Sequence, residues 1–201
     1  MQDPEIELAL LHAPADARDD LAALFALDAR MRQIVIGARE PMLAAIKLVW
    51  WRERIEALPE APAGEPLLAA LAEAVRAGMP AEAVAGIVAG WEDVLAEDVT
   101  AGHAARGAAL FRAAAARLGG PMPDGLEAGG AAWALVDAAR HGAETLSAAQ
   151  GQSRAPRWPG RLRALGMLAR LAEQDAAGGR PAPQATPGRS ARMIWHRLTG
   201  R

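Results

Sequence analysis

Residues 21–35 read LAALFALDARMRQIV, and this stretch decides the fold. Leu21, Leu24, Phe25, Asp28, Met31 and Val35 fall at i, i+3, i+4, i+7, i+10 and i+14, the spacing of one helical face. All but Asp28 are apolar. Asp16, Asp19 and Asp20 stand near the start, where the helix dipole favours carboxylates, and Gly37 closes the segment. Downstream, residues 40–58 read EPMLAAIKLVWWRERIEAL, with Pro41 well placed in a first turn. Leu43, Ile46, Trp50, Ile55 and Leu58 mark the expected apolar face.

The same period continues to the end of the chain. A Pro/Ala/Gly connector spans Pro59 to Pro66. Helices are expected over 66–77, 80–96, 100–118, 125–148 and 160–174. Val84, Ile87, Val88, Trp91 and Leu95 face one way in the second of these. A polar loop falls at 150–160. Pro181, Pro183 and Pro187 make 178–188 an extended linker. The last helix, 189–199, sets Ala191, Ile194, Trp195 and Leu198 on one stripe, with Arg189, Arg192 and Arg197 largely off it. The expectation is an all-α, single-domain bundle of about eight helices in all, with a helical domain over 1–177, a linker over 178–188 and the last, basic amphipathic helix over 189–201.

Composition agrees. The chain has 201 residues, 51 of them alanine, which suits closely packed helices. No cysteine is present, which excludes a disulfide scaffold, a thiolate metal site and a cysteine nucleophile. The aromatic share of 4% argues against a β-rich fold. The 21 arginines against Lys47 alone point to a GC-rich coding sequence and a bacterial source. The start, Met1 to Glu5, is acidic and unlike a secretory signal. No run of about 18 apolar residues is present to span a membrane, so a cytoplasmic protein, peripheral on the inner membrane at most, is expected. The net charge of -2 is unevenly spread. Residues 151–201 hold ten arginines against Glu173 and Asp175, a net of +8, which leaves -10 for residues 1–150. That tail can meet an acidic partner, an anionic surface or its own acidic body. No basic stripe with interleaved aromatics runs along a helix, so nucleic acid is not expected.

Residues 21–35 and 40–58 resemble the squalene/phytoene synthase superfamily, whose fold is an isoprenoid-synthase helical bundle. GAAWALVDAARH, residues 130–141, resembles that family's second motif helix. The string from Glu40-Pro41-Met42-Leu43 to Trp50-Trp51-Arg52 resembles most the branch of the mitochondrial complex I assembly factor and its alphaproteobacterial relatives. Active members carry paired aspartates on two helices that bind Mg²⁺, which orients a diphosphate leaving group. Carried over, the first motif falls on Arg32, Gln33 and Ile36, none of which offers a carboxylate. In the second, the aspartate positions hold His141 and Thr145. Glu144 keeps the glutamate, Asp137 replaces an asparagine, and Arg140 matches. The resemblance therefore implies no catalytic residue, no metal and no cofactor. It implies a degenerate protein that acts by binding a protein partner, in assembly of a membrane respiratory complex. The alternatives are an active prenyltransferase using Mg²⁺, and an isoprenoid or lipid carrier.

Three further groups carry expectations. Asp137, His141 and Glu144 lie at i, i+4 and i+7, as a metal or proton-transfer set would, or as an ordinary solvated face. Arg32 can bind an anionic head group or, as the preferred reading, pair with Asp28 or Asp137. Trp51, Arg52 and Trp195 are candidates for a partner surface, although packing of both Trp50 and Trp51 between helices is favoured. His103 reads as a polar-face histidine in an alanine-rich helix.

Overall fold

The computed structural model describes residues 3–60, 64–152 and 157–200. Their secondary structure is helical throughout: α1 (Pro4–Leu11), α2 (Arg18–Ile36), α3 (Pro41–Glu56), α4 (Pro66–Arg76), α5 (Ala81–Leu95), α6 (Val99–Leu118), α7 (Leu126–Arg140), α8 (Leu146–Gln150), α9 (Arg163–Ala177) and α10 (Pro187–Thr199), with a 3₁₀ turn at Gly160–Leu162 before α9. No strand occurs among the described residues. Parts of the expected 59–66 connector and 150–160 loop lie outside them.

Ten helices replace the eight expected, for two local reasons. The first is α1, where Asp3 caps the helix: its Oδ1 accepts the Glu5 and Ile6 amides at 2.8 and 3.3 Å. Pro4 then supplies a ready-made first turn. The second is a break in the expected 125–148 helix. His141 caps α7, and Gly142 takes a left-handed φ of 95° that leads into a turn before α8.

The centre of the bundle is the row α5–α6–α7, brought together by glycines. A Cβ on Gly107 would lie 2.2 Å from the Gly130 carbonyl oxygen, and one on Gly102 would lie 2.6 Å from that of Gly90. Backbones thus touch directly at both crossings, and α6 is held unusually close to both neighbours. Helix α2 crosses this row, with α3 on α5 and α4 on α2 to one side. On the other side α9 packs on α7, and α1 and α10 pack on α9. Few aromatics are needed to fill the middle. Trp133 meets Phe25 edge-on at 5.6 Å and Phe111 in a stack at 6.2 Å, and Phe111 meets Trp158 edge-on at 6.2 Å.

The expected apolar face of α10 is reversed, and of the expected α3 stripe only Ile55 and Leu58 are buried. In α3 the buried residues are Ala44, Leu48, Trp51 and Ile55, while Leu43, Ile46 and Trp50 are exposed. Both stripes are apolar, and the neighbouring α5 selects the one with the small Ala44 and the large Trp51. In α10 the buried residues are Arg189, Met193 and His196, whereas Ile194, Trp195 and Leu198 face outward. Electrostatics decides this case. Arg189 donates to Glu5 from Nε (2.5 Å) and Nη2 (2.9 Å) and to Asp175 from Nη1 (2.6 Å) and Nη2 (3.1 Å). Arg140 joins the same cluster through Asp175 and lies 3.6 Å from Glu5. The C-terminal helix is therefore anchored to the acidic body by a buried guanidinium. In the 3₁₀ turn before α9, Arg161 makes an exposed ion pair with Asp16 at 2.8 Å.

Candidate functional site

A cavity of about 290 Å³ opens between α2, α5, α6 and α7. Arg32, Trp91, His103, Arg106, Asp137 and His141 line it. It lies where the two motif-like helices face one another. Asp28 and Arg32 are one turn apart on α2, and Asp137 and His141 one turn apart at the end of α7.

Arg106 on α6 organises the site and is fully buried. Its Nη1 donates to both Asp28 oxygens, at 2.8 and 2.7 Å. Its Nη2 donates to Asp137 Oδ2 at 2.9 Å and to the Ala134 carbonyl at 3.2 Å. Its Nε donates to His103 Nδ1 at 2.9 Å. The guanidinium also lies over the Trp91 ring, 4.5 Å from its centroid. Trp91 Nε1 donates to Asp28 Oδ1 at 2.9 Å. Arg32 closes the arrangement by donating to Asp137 and standing 3.8 Å from Asp28. His141 Nε2 lies 3.4 Å from Arg32, and its Nδ1 lies 2.7 Å from the Asp137 carbonyl oxygen.

Two buried carboxylates thus face two guanidiniums, and the formal charge closes to zero. Burial opposes ionisation of Asp137, but Arg106 and Arg32 outweigh it and hold its carboxyl below the usual range. Burial likewise disfavours the Arg106 cation, and Asp28 with Asp137 more than restores it. Burial first, and the Arg106 charge second, push His103 down to about 4. It is therefore neutral and accepts the Arg106 proton at Nδ1. His103 is no solvated polar-face histidine. It is buried because it supplies the acceptor that Arg106 Nε needs.

This donor set does not fit a magnesium cluster. Mg²⁺ requires near-octahedral oxygen ligation. Both Asp28 oxygens and Asp137 Oδ2 are already engaged by N–H donors, and a guanidinium occupies the space between the two carboxylates. Among the described residues, no group of three or more His, Asp or Glu side chains converges as a metal site.

The motif positions are scattered over several environments. Arg32 and Ile36 border the cavity, whereas Gln33 lines a different groove, between α2 and α3. Asp137 and His141 reach the cavity. Arg140 points to the Glu5–Asp175 cluster instead. Glu144 is exposed in the turn after α7, so Asp137, His141 and Glu144 do not share one helix face. Thr145 is buried and donates to the Leu135 carbonyl at 2.6 Å, a structural bond. Trp51 is buried, whereas its neighbour Trp50 is 39% exposed. Arg52 is tied to Glu92 at 3.1 Å and to Glu56 at 3.2 Å. Trp195 is 65% exposed. The organising residue, Arg106, escaped the sequence reading. The available signal was an arginine at i+3 from the helix's one histidine, on a stretch of otherwise small residues.

Residues 2–100 match the squalene/phytoene synthase family model. The match supports the resemblance seen at 21–58, and the all-helical bundle is consistent with an isoprenoid-synthase-like fold. It covers α1 to α5, with Asp28, Arg32 and Trp91. It stops at the start of α6, before Arg106 and Asp137. No curated protein and no solved structure matched the chain. Among the described residues, no helix is long and apolar enough to cross a membrane.

Proposed function

We propose that this squalene/phytoene synthase-like protein is catalytically degenerate and acts by binding a protein partner, in assembly of a membrane respiratory complex. The observation that carries the first part is the Asp28–Arg106–Asp137 bridge. The space where a diphosphate-bound metal cluster would be coordinated holds a fully buried guanidinium. Its charge is already spent on the two carboxylates. Placing divalent cations beside Arg106 and Arg32 sets like charges at contact distance in a poorly screened interior.

Cavity size supports the same reading. At about 290 Å³ the space is at the bottom of the range of small-molecule sites, roughly 300–1,000 Å³. Two prenyl chains, as a head-to-head condensation requires, exceed it. On the same ground this cavity does not hold a long isoprenoid as cargo. The assembly role rests on the resemblance of residues 40–58 to the assembly-factor branch, together with the exposed apolar residues of α3 and α10.

The test of non-catalysis is direct. Purified protein with Mg²⁺ and farnesyl or geranylgeranyl diphosphate is expected to form no C30 or C40 product, and product formation overturns the reading. The binding role is tested by recovery of the tagged protein from the native membrane fraction with mass spectrometry. Subunits of a respiratory complex are expected, and their absence counts against assembly.

A further inference from the structure

Helix α3 is apolar on both sides. Opposite its buried stripe, Met42, Leu43, Ile46, Val49 and Trp50 are exposed, Met42 by 77% and Ile46 by 60%. The stripe runs over nine residues, Met42 to Trp50, about 12 Å of helix. A contiguous exposed apolar strip of this kind marks an interaction site. It borders a groove of about 740 Å³ between α3 and the last turns of α2, with Leu43, Ile46 and Trp50 among its walls and Ile34 and Ala44 beside them.

The charges around the groove are distinctive. Arg30, Arg39 and Lys47 line it, all three exposed. None of the three has an ion-pair or hydrogen-bond partner among the described residues. Most other described arginines are spent internally, as Arg32, Arg52, Arg106, Arg117, Arg140 and Arg189 are on carboxylates. The groove's two carboxylates are Glu40 and Glu65, and Glu65 also accepts the Leu67 amide at the start of α4. Three cations against two carboxylates leave the rim with a net positive charge.

We propose that this groove holds one amphipathic helix of a partner protein, with its apolar side on Leu43, Ile46 and Trp50 and its carboxylates against Arg30, Arg39 and Lys47. The inference rests on the reading of the protein as a binding protein and names its partner's chemistry. Two turns of exposed stripe match apolar anchors at i, i+3, i+4 and i+7 of a docked helix. Concavity favours a helix over a lipid surface, which is flat on this scale and leaves a groove unfilled.

The probes are two synthetic helical peptides with leucine at those four positions, one flanked by glutamate and the other by lysine, and phosphatidylglycerol vesicles. Fluorescence anisotropy with the full chain is expected to show binding of the glutamate peptide and at least about tenfold weaker binding of the lysine peptide. Ile46→Gln and Lys47→Glu, both at exposed positions, are expected to weaken the first by about tenfold or more without changing the circular dichroism melt. Failure of the glutamate peptide to bind, equal binding of both peptides, or indifference to both substitutions overturns the proposal. Vesicle binding lost in Ile46→Gln overturns it in favour of lipid. A dimer in sedimentation that Ile46→Gln dissociates overturns it in favour of a second copy. Failure here without prenyl-diphosphate turnover removes only the groove assignment, whereas turnover removes the non-catalytic reading itself.

Discussion

Arg106 holds both carboxylate oxygens of Asp28, at 2.8 and 2.7 Å, from a position with no solvent exposure. The bond joins α6 to α2 across the middle of the bundle, and Asp137 extends it to α7. A guanidinium without such partners would not remain buried, and neither would the carboxylates.

Arg106→Met keeps the bulk and removes the charge. Asp28 and Asp137 are then left buried with only the more peripheral Arg32. A loss of about 3–5 kcal/mol is expected, measured by urea unfolding. Adding Asp28→Asn and Asp137→Asn should recover part of it. Equal stability of Arg106→Met and the parent would refute a central role for the bridge.

His103 gives stability a defined pH dependence. Its value falls from 6.5 to about 4 on folding, so the unfolded chain binds a proton that the native state refuses. The contribution is complete above pH 6.5 and is lost as pH falls from there through 4. His103→Gln retains an acceptor for Arg106 and does not titrate. The difference in melting temperature between the two proteins should change across that window and be flat above it.

Gly107→Ala tests the α6–α7 contact. In an ordinary helix interior this change stabilises by roughly 1 kcal/mol. Here the new Cβ would meet the Gly130 carbonyl oxygen at 2.2 Å and the Ala134 Cβ at 2.5 Å. A loss of about 1–3 kcal/mol is expected instead, in urea titrations.

Arg189→Ala removes the anchor of α10. Glu5 and Asp175 keep Arg140, so the cost should be about 3 kcal/mol, at the low end for a broken buried pair. Amide exchange in α10 should quicken more than in α5 or α6. Unchanged protection of α10 would show that Met193, His196 and the Arg163 bonds to the Arg197 and Leu198 carbonyls seat the helix without Arg189.

The legible parts of the chain share one property: the local pattern admits a single answer. In α2 the alternation leaves one apolar face, and Leu21, Leu24, Phe25 and Met31 are all buried on it. In α5, Val84, Ile87, Val88 and Trp91 behave likewise. Helix α1 was readable from Asp3-Pro4, a cap followed by a first-turn proline, had those two been weighed together. Where a segment carries two apolar faces, as in α3, periodicity cannot choose between them. Where a charged residue is the buried one, as in α10, hydropathy points to the wrong side.

The sequence by itself determined that the described residues form an all-helical bundle, and that Arg32, Gln33 and Ile36 offer no carboxylate on the helix that resembles the family's first motif. Those are properties of residue type and spacing, which no packing can alter. Only the tertiary structure decided what replaces them. The pairing of Asp28 with Arg106 spans 78 positions in the chain, and that of Arg106 with Asp137 spans 31. Such contacts depend on backbones meeting at Gly107 and Gly130 and on burial that strengthens each charge's need for a partner. Neither the close approach nor the burial is encoded in any local pattern.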